Sequence, residues 1–153
     1  MSIFSDIFEP KQKIDSVLGT VKYRNPLLSV SFWQSEVLFS PLEKRVKVYV
    51  AAGRSGILES QREVFRELEQ RYAELTDAIC KILFETLVNY WGDMFREQER
   101  QEFWQDFELE RVFIPRPKEP TDYWELTYLH IPYEQTYTIY LDGWKPIYGQ
   151  LDD

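Results

Sequence analysis

The sequence predicts an α+β domain: an antiparallel sheet with one long helix packed on one face. Three observations carry this. Residues 59–91 hold neither Gly nor Pro and keep a helical apolar period from end to end. Short runs rich in Val, Tyr, Phe and Trp lie on both sides of that stretch, several with a period of two. Short turns separate neighbouring runs, which joins consecutive strands antiparallel. The expected order is about three strands, the helix, then about four strands, with the helix segregated to one side.

The 153 residues are most simply a single domain, 1–153, with 1–16 and 150–153 as loosely packed termini. Phe4, Ile7 and Phe8 fill at most one helical turn before Pro10 ends it. Leu18 to Arg24 alternates as a strand, and Asn25-Pro26 turns it. A second strand runs over 28–39, with Val30 and Phe32 opposite Ser31, Trp33 and Ser35, until Ser40-Pro41 breaks it. The third, 45–51, sends Val46, Val48 and Val50 to one face. Gly53-Arg54-Ser55-Gly56 lacks the spacing and the lysine of a phosphate-binding loop, so it is a tight strand-to-helix turn.

Ser60-x-x-Glu63 reads as a capping box for the helix. Val64, Leu68, Tyr72, Leu75, Ile79, Ile82 or Leu83, Leu87 and Tyr90 form its apolar stripe, and Gly92 stands where a helix-ending glycine belongs. Thirty-three residues span roughly 50 Å, against a diameter of roughly 40 Å for a domain of this size. The helix therefore either bends near Thr76 and Asp77 or overhangs, and its more polar N-terminal half is the expected overhang. Residues 93–102 are dense in charge and suit a short helix or a solvated loop. Phe107 to Ile114 alternates again, and residues 115–120 are a stiff Pro-rich connector. Strands follow at 123–131, 136–141 and 144–148. Asp142-Gly143 marks a hairpin, and Pro146 places the last strand at a sheet edge. No internal repeat is read from the sequence.

Apolar content of 44% and aromatic content of 16% exclude a disordered chain. No apolar run reaches the ~20 residues of a membrane helix. The first residues lack the basic and apolar regions of a secretory signal, and the single cysteine excludes an internal disulfide, so a cytoplasmic location is expected. The net charge of −8 is uneven: residues 1–56 carry eight Lys/Arg against five Asp/Glu, and residues 104–153 carry four against ten. An acidic body disfavours nucleic acid and anionic membranes and favours a basic partner.

Catalytic chemistry is poorly supplied. Cys80 lies in the apolar stretch of the helix and reads as a buried structural thiol. His130, the one histidine, comes without a nucleophile motif. One Cys and one His cannot build a structural zinc site, and no calcium loop is present, so neither cofactor nor metal is expected. Glu108 and Glu110 would share one strand face about 7 Å apart, a spacing used by glycosidases but equally that of any solvated sheet face.

Twelve of the 25 aromatics fall between Phe103 and Tyr148. Glu108, Glu110, Asp122, Trp124 and Trp144 are accordingly the candidate binding residues: acids among aromatics, suited to a basic partner. Leu18-Gly19 with Tyr23, then Trp33, the Val48-Tyr49-Val50 strand, the Glu59-Ser60-Gln61 helix entry and the Tyr-rich late hairpin resemble small bacterial domains of unknown function. Such families are often associated with polymorphic-toxin immunity proteins. The resemblance covers residues 18–92 and 123–148. It implies a binding protein with no catalytic residues to carry over. The expected function is thus a cytoplasmic protein-interaction module, with an immunity-type inhibitor of a basic toxin as its special case. The alternatives are a hydrolase using carboxylates and His130, and a structural homo-oligomer.

Overall fold

A computed structural model describes residues 11–25, 30–92, 103–117 and 123–152. It is α+β, as the sequence predicts, with one long helix and eight strands rather than seven. The strands are β1 (Gln12–Asp15), β2 (Gly19–Arg24), β3 (Phe32–Phe39), β4 (Lys44–Ala51), β5 (Phe107–Ile114), β6 (Trp124–His130), β7 (Gln135–Asp142) and β8 (Lys145–Leu151). The helix α1 (Glu59–Trp91) lies between β4 and β5. All eight strands form one sheet in chain order. Every neighbouring pair is antiparallel except β4 and β5, which are parallel. The exception follows from the helix, a crossover that returns the chain to the end of the sheet from which β4 set out.

Both expected loose ends are ordered where they are described. β1 adds a strand at one edge, and the Asp15 carboxylate accepts the N–H groups of Val17 (2.9 Å) and Leu18 (3.0 Å). At the other end β8 reaches Leu151, and the Asp152 N–H donates to the Thr136 carbonyl at 2.9 Å. Residues 93–102 and 118–122 lie outside the described residues.

The helix is continuous over its 33 residues. Its buried stripe is Gln61, Phe65, Leu68, Tyr72, Leu75, Ile79, Leu83, Thr86 and Leu87. The expected N-terminal overhang is not found, because that half is pinned at several points. Arg62 Nε meets Asp15 Oδ2 at 2.7 Å, and Glu69 accepts from the N–H and hydroxyl of Ser40. The large apolar side chains that α1 leaves exposed, Tyr90 and Trp91, stand at its C-terminal end instead. The helix is capped by Gln61, not by Ser60 and Glu63. Gln61 Oε1 takes the Leu58 N–H (3.1 Å), while its Nε2 donates to the carbonyls of Ala51 (2.8 Å) and Pro115 (2.9 Å). Gly92 ends the helix at φ 68°, its N–H on the Val88 carbonyl.

The chain does contain an internal repeat, contrary to the sequence expectation. Residues 15–50 and 106–141, shifted by 91, align without a gap and are identical at nine of 36 positions. About two identities would arise by chance from ordinary composition. The shared residues include Leu18/Leu109, Val21/Val112, Trp33/Trp124, Pro41/Pro132, Glu43/Glu134 and Tyr49/Tyr140. The structure repeats with the sequence. A single 3-10 turn at Ser40–Leu42 returns at Ile131–Tyr133, each followed by a left-handed glutamate, Glu43 at φ 51° and Glu134 at φ 53°. Lys22 pairs with Gln34 as Phe113 pairs with Glu125, and Trp33 with Val50 as Trp124 with Leu141. Each buried tryptophan donates its indole N–H to a glycine carbonyl beyond the partner strand, Trp33 to Gly53 at 3.0 Å and Trp124 to Gly143. Six of the eight strands are thus two copies of one meander, β2–β4 and β5–β7, laid side by side and joined by α1, with β1 and β8 added at the edges.

Candidate functional site

Alternation along the strands sends Trp33, Phe39, Val46, Val48, Val50, Leu126, Tyr128, Ile139 and Leu141 beneath the helix, where all are buried. The other residues of the same strands face away from α1. Strand register arranges them in rows across the sheet. One row runs Lys22, Gln34, Tyr49, Phe113, Glu125, Tyr140, Tyr148. The next runs Glu36, Lys47, Arg111, Thr127, Thr138, Gln150. No helix among the described residues lies over this face, though Thr127 and Thr138 are buried within it by their neighbours.

Aromatic rings and polar groups interlock there. Phe32 meets Tyr49 edge-on at 5.3 Å, and Tyr140 stacks on Tyr148 at 4.5 Å. The Arg111 guanidinium lies 5.7 Å from the Tyr49 ring centre and donates to the Thr127 hydroxyl. From there a hydrogen-bonded chain continues through the Thr138 hydroxyl (3.0 Å) to Asp152 Oδ2 (2.8 Å). Glu125 stands between Phe113 and Tyr140. Burial pushes its carboxyl above the usual range, and the Arg111 charge opposes this only in part.

Charge is divided between the two sides. Facing solvent on α1 are Glu63, Glu67, Glu74, Asp77 and Glu85; Glu67 and Glu74 pair with Arg71 and Glu85 with Lys81, whereas Glu63 and Asp77 make no ion pair among the described residues. The first meander presents Lys22, Arg24, Arg45 and Lys47. They border a cleft of about 740 Å3 with Thr20, Glu36, Leu38 and Phe65 also in its wall.

The five residues singled out from the sequence do not form one surface. Glu108, the second residue of β5, lies opposite Leu129 and is ion-paired with Lys44. Glu110 sits in a β-bulge between Leu109 and Arg111, which breaks the alternation that would have set it beside Glu108. Asp122 lies outside the described residues. Trp124 is buried at 6% exposure, a correction to its reading as an exposed anchor: its ring completes the core and its N–H is spent on Gly143. Trp144 is half-buried, edge-on to Trp124 at 5.0 Å and capped by the Arg71 guanidinium at 4.9 Å. The two tryptophans therefore meet on the helix side, at the far end of β6 from Glu108.

His130 is also enclosed. It stacks on Phe107 (4.7 Å) and Tyr133 (5.2 Å), and its Nδ1 is buried without a hydrogen-bond partner among the described residues. Burial pushes its pKa below the ordinary value, with the negative charge of Asp106 acting the other way. It occupies the place of Phe39 in the other copy. Cys80 is half-buried rather than buried. Among the described residues no three of His, Cys, Asp and Glu gather closely enough to hold a metal ion. No helix among them is long and apolar enough to cross a membrane. Comparison of the chain with family models, curated proteins and solved structures returns no match.

Proposed function

We propose that the protein is a non-catalytic interaction module that engages a protein partner through the uncovered face of its sheet. The observation that carries this reading is the face itself. It is eight strands wide, backed by a core and a helix, and set with Tyr49, Phe113, Tyr140, Tyr148 and Arg111. Tyr and Arg are the residue types that anchor protein interfaces, and a pleated sheet holds them at fixed spacing. The hydrolase alternative draws little support from His130, whose imidazole is packed among rings rather than set beside an exposed nucleophile.

The sign of the partner needs revision under this reading. A basic partner would be drawn to the acids of α1, whereas the first meander of the sheet face would draw an acidic one. The immunity-type inhibitor is the narrower form of the same proposal, in which the partner is an enzyme and docking abolishes its activity. The test is affinity capture from the native lysate with the wild-type chain and with a Tyr49→Ala, Tyr148→Ala double variant whose circular dichroism is unchanged. The variant is expected to lose the partner that the wild type retains. Equal capture by both would place the interface elsewhere.

A further inference from the structure

The two copies of the meander differ in how their first two strands pair, and there the first copy leaves a strand edge open among the described residues. In the second copy β5 pairs with β6 along nearly its whole length, Phe107 to Leu109 lying opposite His130 to Tyr128. In the first copy the β2–β3 ladder ends at Lys22–Gln34. Residues 16–18, which hold the position of 107–109, turn away instead. The Asp15 carboxylate gathers the N–H groups of Val17 and Leu18, and β2 is drawn toward β1. Among the described residues, β3 runs on to Phe39 with a strand partner on its β4 side alone. At the fork the Ser35 hydroxyl bonds the carbonyls of Leu18 and Thr20. The Glu36 carbonyl takes Arg45 Nη2 at 2.7 Å in place of a strand. The space left by the missing half-ladder is the cleft of about 740 Å3.

We infer that this cleft is a strand-addition site for an extended acidic segment of the partner protein; the inference rests on the interaction-module reading above. An unpaired strand edge is a template for a further strand, with backbone bonds giving affinity and alternate side chains giving selectivity. Residues 35–39 would seat a segment of about five residues, roughly 17 Å long. One set of its side chains would lie over the uncovered face beside Lys22, Arg24 and Lys47, which make no ion pair among the described residues. Two acids line the cleft: Glu36, matched by Arg45 at 3.7 Å, and Glu69 on α1, which accepts from the Ser40 N–H and hydroxyl, against the four cations Lys22, Arg24, Arg45 and Lys47. Leu38, 60% exposed, supplies an apolar contact beside them. Charge selects an acidic occupant, and the open ladder selects a polypeptide over a nucleic acid, which has no backbone N–H groups to complete it.

The test is fluorescence anisotropy with a labelled, acetylated and amidated peptide of eight alternating Val and Glu residues. Saturable binding is expected, weakened about tenfold or more by Lys22→Glu with Lys47→Glu, both exposed and outside the core. Two further peptides keep the charge and carry N-methyl groups on alternate residues, in one phase or the other. Strand addition requires that one phase abolish binding and the other leave it within about twofold. This arm needs no protein variant, so it does not depend on a variant folding. Equal binding by both methylated peptides, or an oligothymidylate of equal charge binding as tightly as the peptide, would overturn the proposal. So would light scattering that shows a second copy of the chain in place of the peptide. Failure of the peptide with capture still abolished by Tyr49→Ala and Tyr148→Ala would sink the cleft alone, not the interaction module.

Discussion

Where β3 and β6 enter their turns, Phe39 of one copy is matched by His130 of the other. Phe39 fills its site with a ring and no polar atom, while His130 brings a buried Nδ1 that meets no partner among the described residues. Replacing His130→Phe keeps the stacking on Phe107 and Tyr133 and removes the orphan, so it should stabilise the fold by about 1 kcal/mol in urea unfolding. The wild type should also be sensitive to pH. Burial holds the folded pKa below the ordinary 6.5, so the unfolded chain binds more protons as pH falls past that value. Stability is then complete above pH 6.5 and declines as pH drops toward the folded pKa. His130→Phe should flatten that part of the profile, and an unchanged slope would assign it to other groups. Gly149 makes a second residue-scale test. A Cβ there would lie 2.5 Å from Thr86 Oγ1 and about 3 Å from Ile139 and Ile82, where α1 presses on β8. Gly149→Ala should cost about 1–3 kcal/mol by denaturant titration. Neither site was legible in the sequence, because an enclosed histidine and a strand glycine acquire meaning only from the elements packed over them.

Elements were more legible than the contacts that end them. The apolar period of residues 59–91 located the helix, and Gly92 located its end. The N-terminus shows why local motifs mislead. Ser60-x-x-Glu63 has the spacing of a capping box, yet the helix begins one residue earlier and is fixed by Gln61, which is 2% exposed. Gln61 bonds the Leu58 N–H, the Ala51 carbonyl and the Pro115 carbonyl, joining the ends of β4, α1 and β5 through one amide. Two of those partners are supplied by the fold, so no local spacing announces them. Gln61→Ala should cost about 2–3 kcal/mol, since it strands buried polar groups, whereas exposed Ser60→Ala should stay within about 0.5 kcal/mol. Comparable losses at the two positions would restore the serine as the cap. The binding residues chosen from the sequence failed for a related reason. Trp124 stood among acids in the chain, but strand alternation turns its ring inward, and the bulge at Glu110 shifts the phase on which the Glu108 pair relied.

At the scale of the whole molecule, the sheet gains its width from repetition, and that repetition is faint in the sequence. The shared residues are spaced by the needs of turns and inward-facing rings, and a 33-residue helix with no second counterpart stands between the copies. The copies are nevertheless not built to stand apart. β4 and β5 pair in parallel at the junction, and one helix lies over strands from both, with Phe65 edge-on to Phe39 in the first copy's core and Tyr72 bonded to Tyr128 in the second's at 3.0 Å. Burial raises the Tyr72 hydroxyl to about 12, so that bond is not broken by ionisation at any ordinary pH. A core shared in this way should melt as one unit, because either meander alone would expose the apolar face that α1 and its neighbour cover. Calorimetry should therefore show one transition whose van't Hoff and calorimetric enthalpies agree. Two resolved transitions would mean that each meander is stable by itself and that the parallel junction joins two independent folding units.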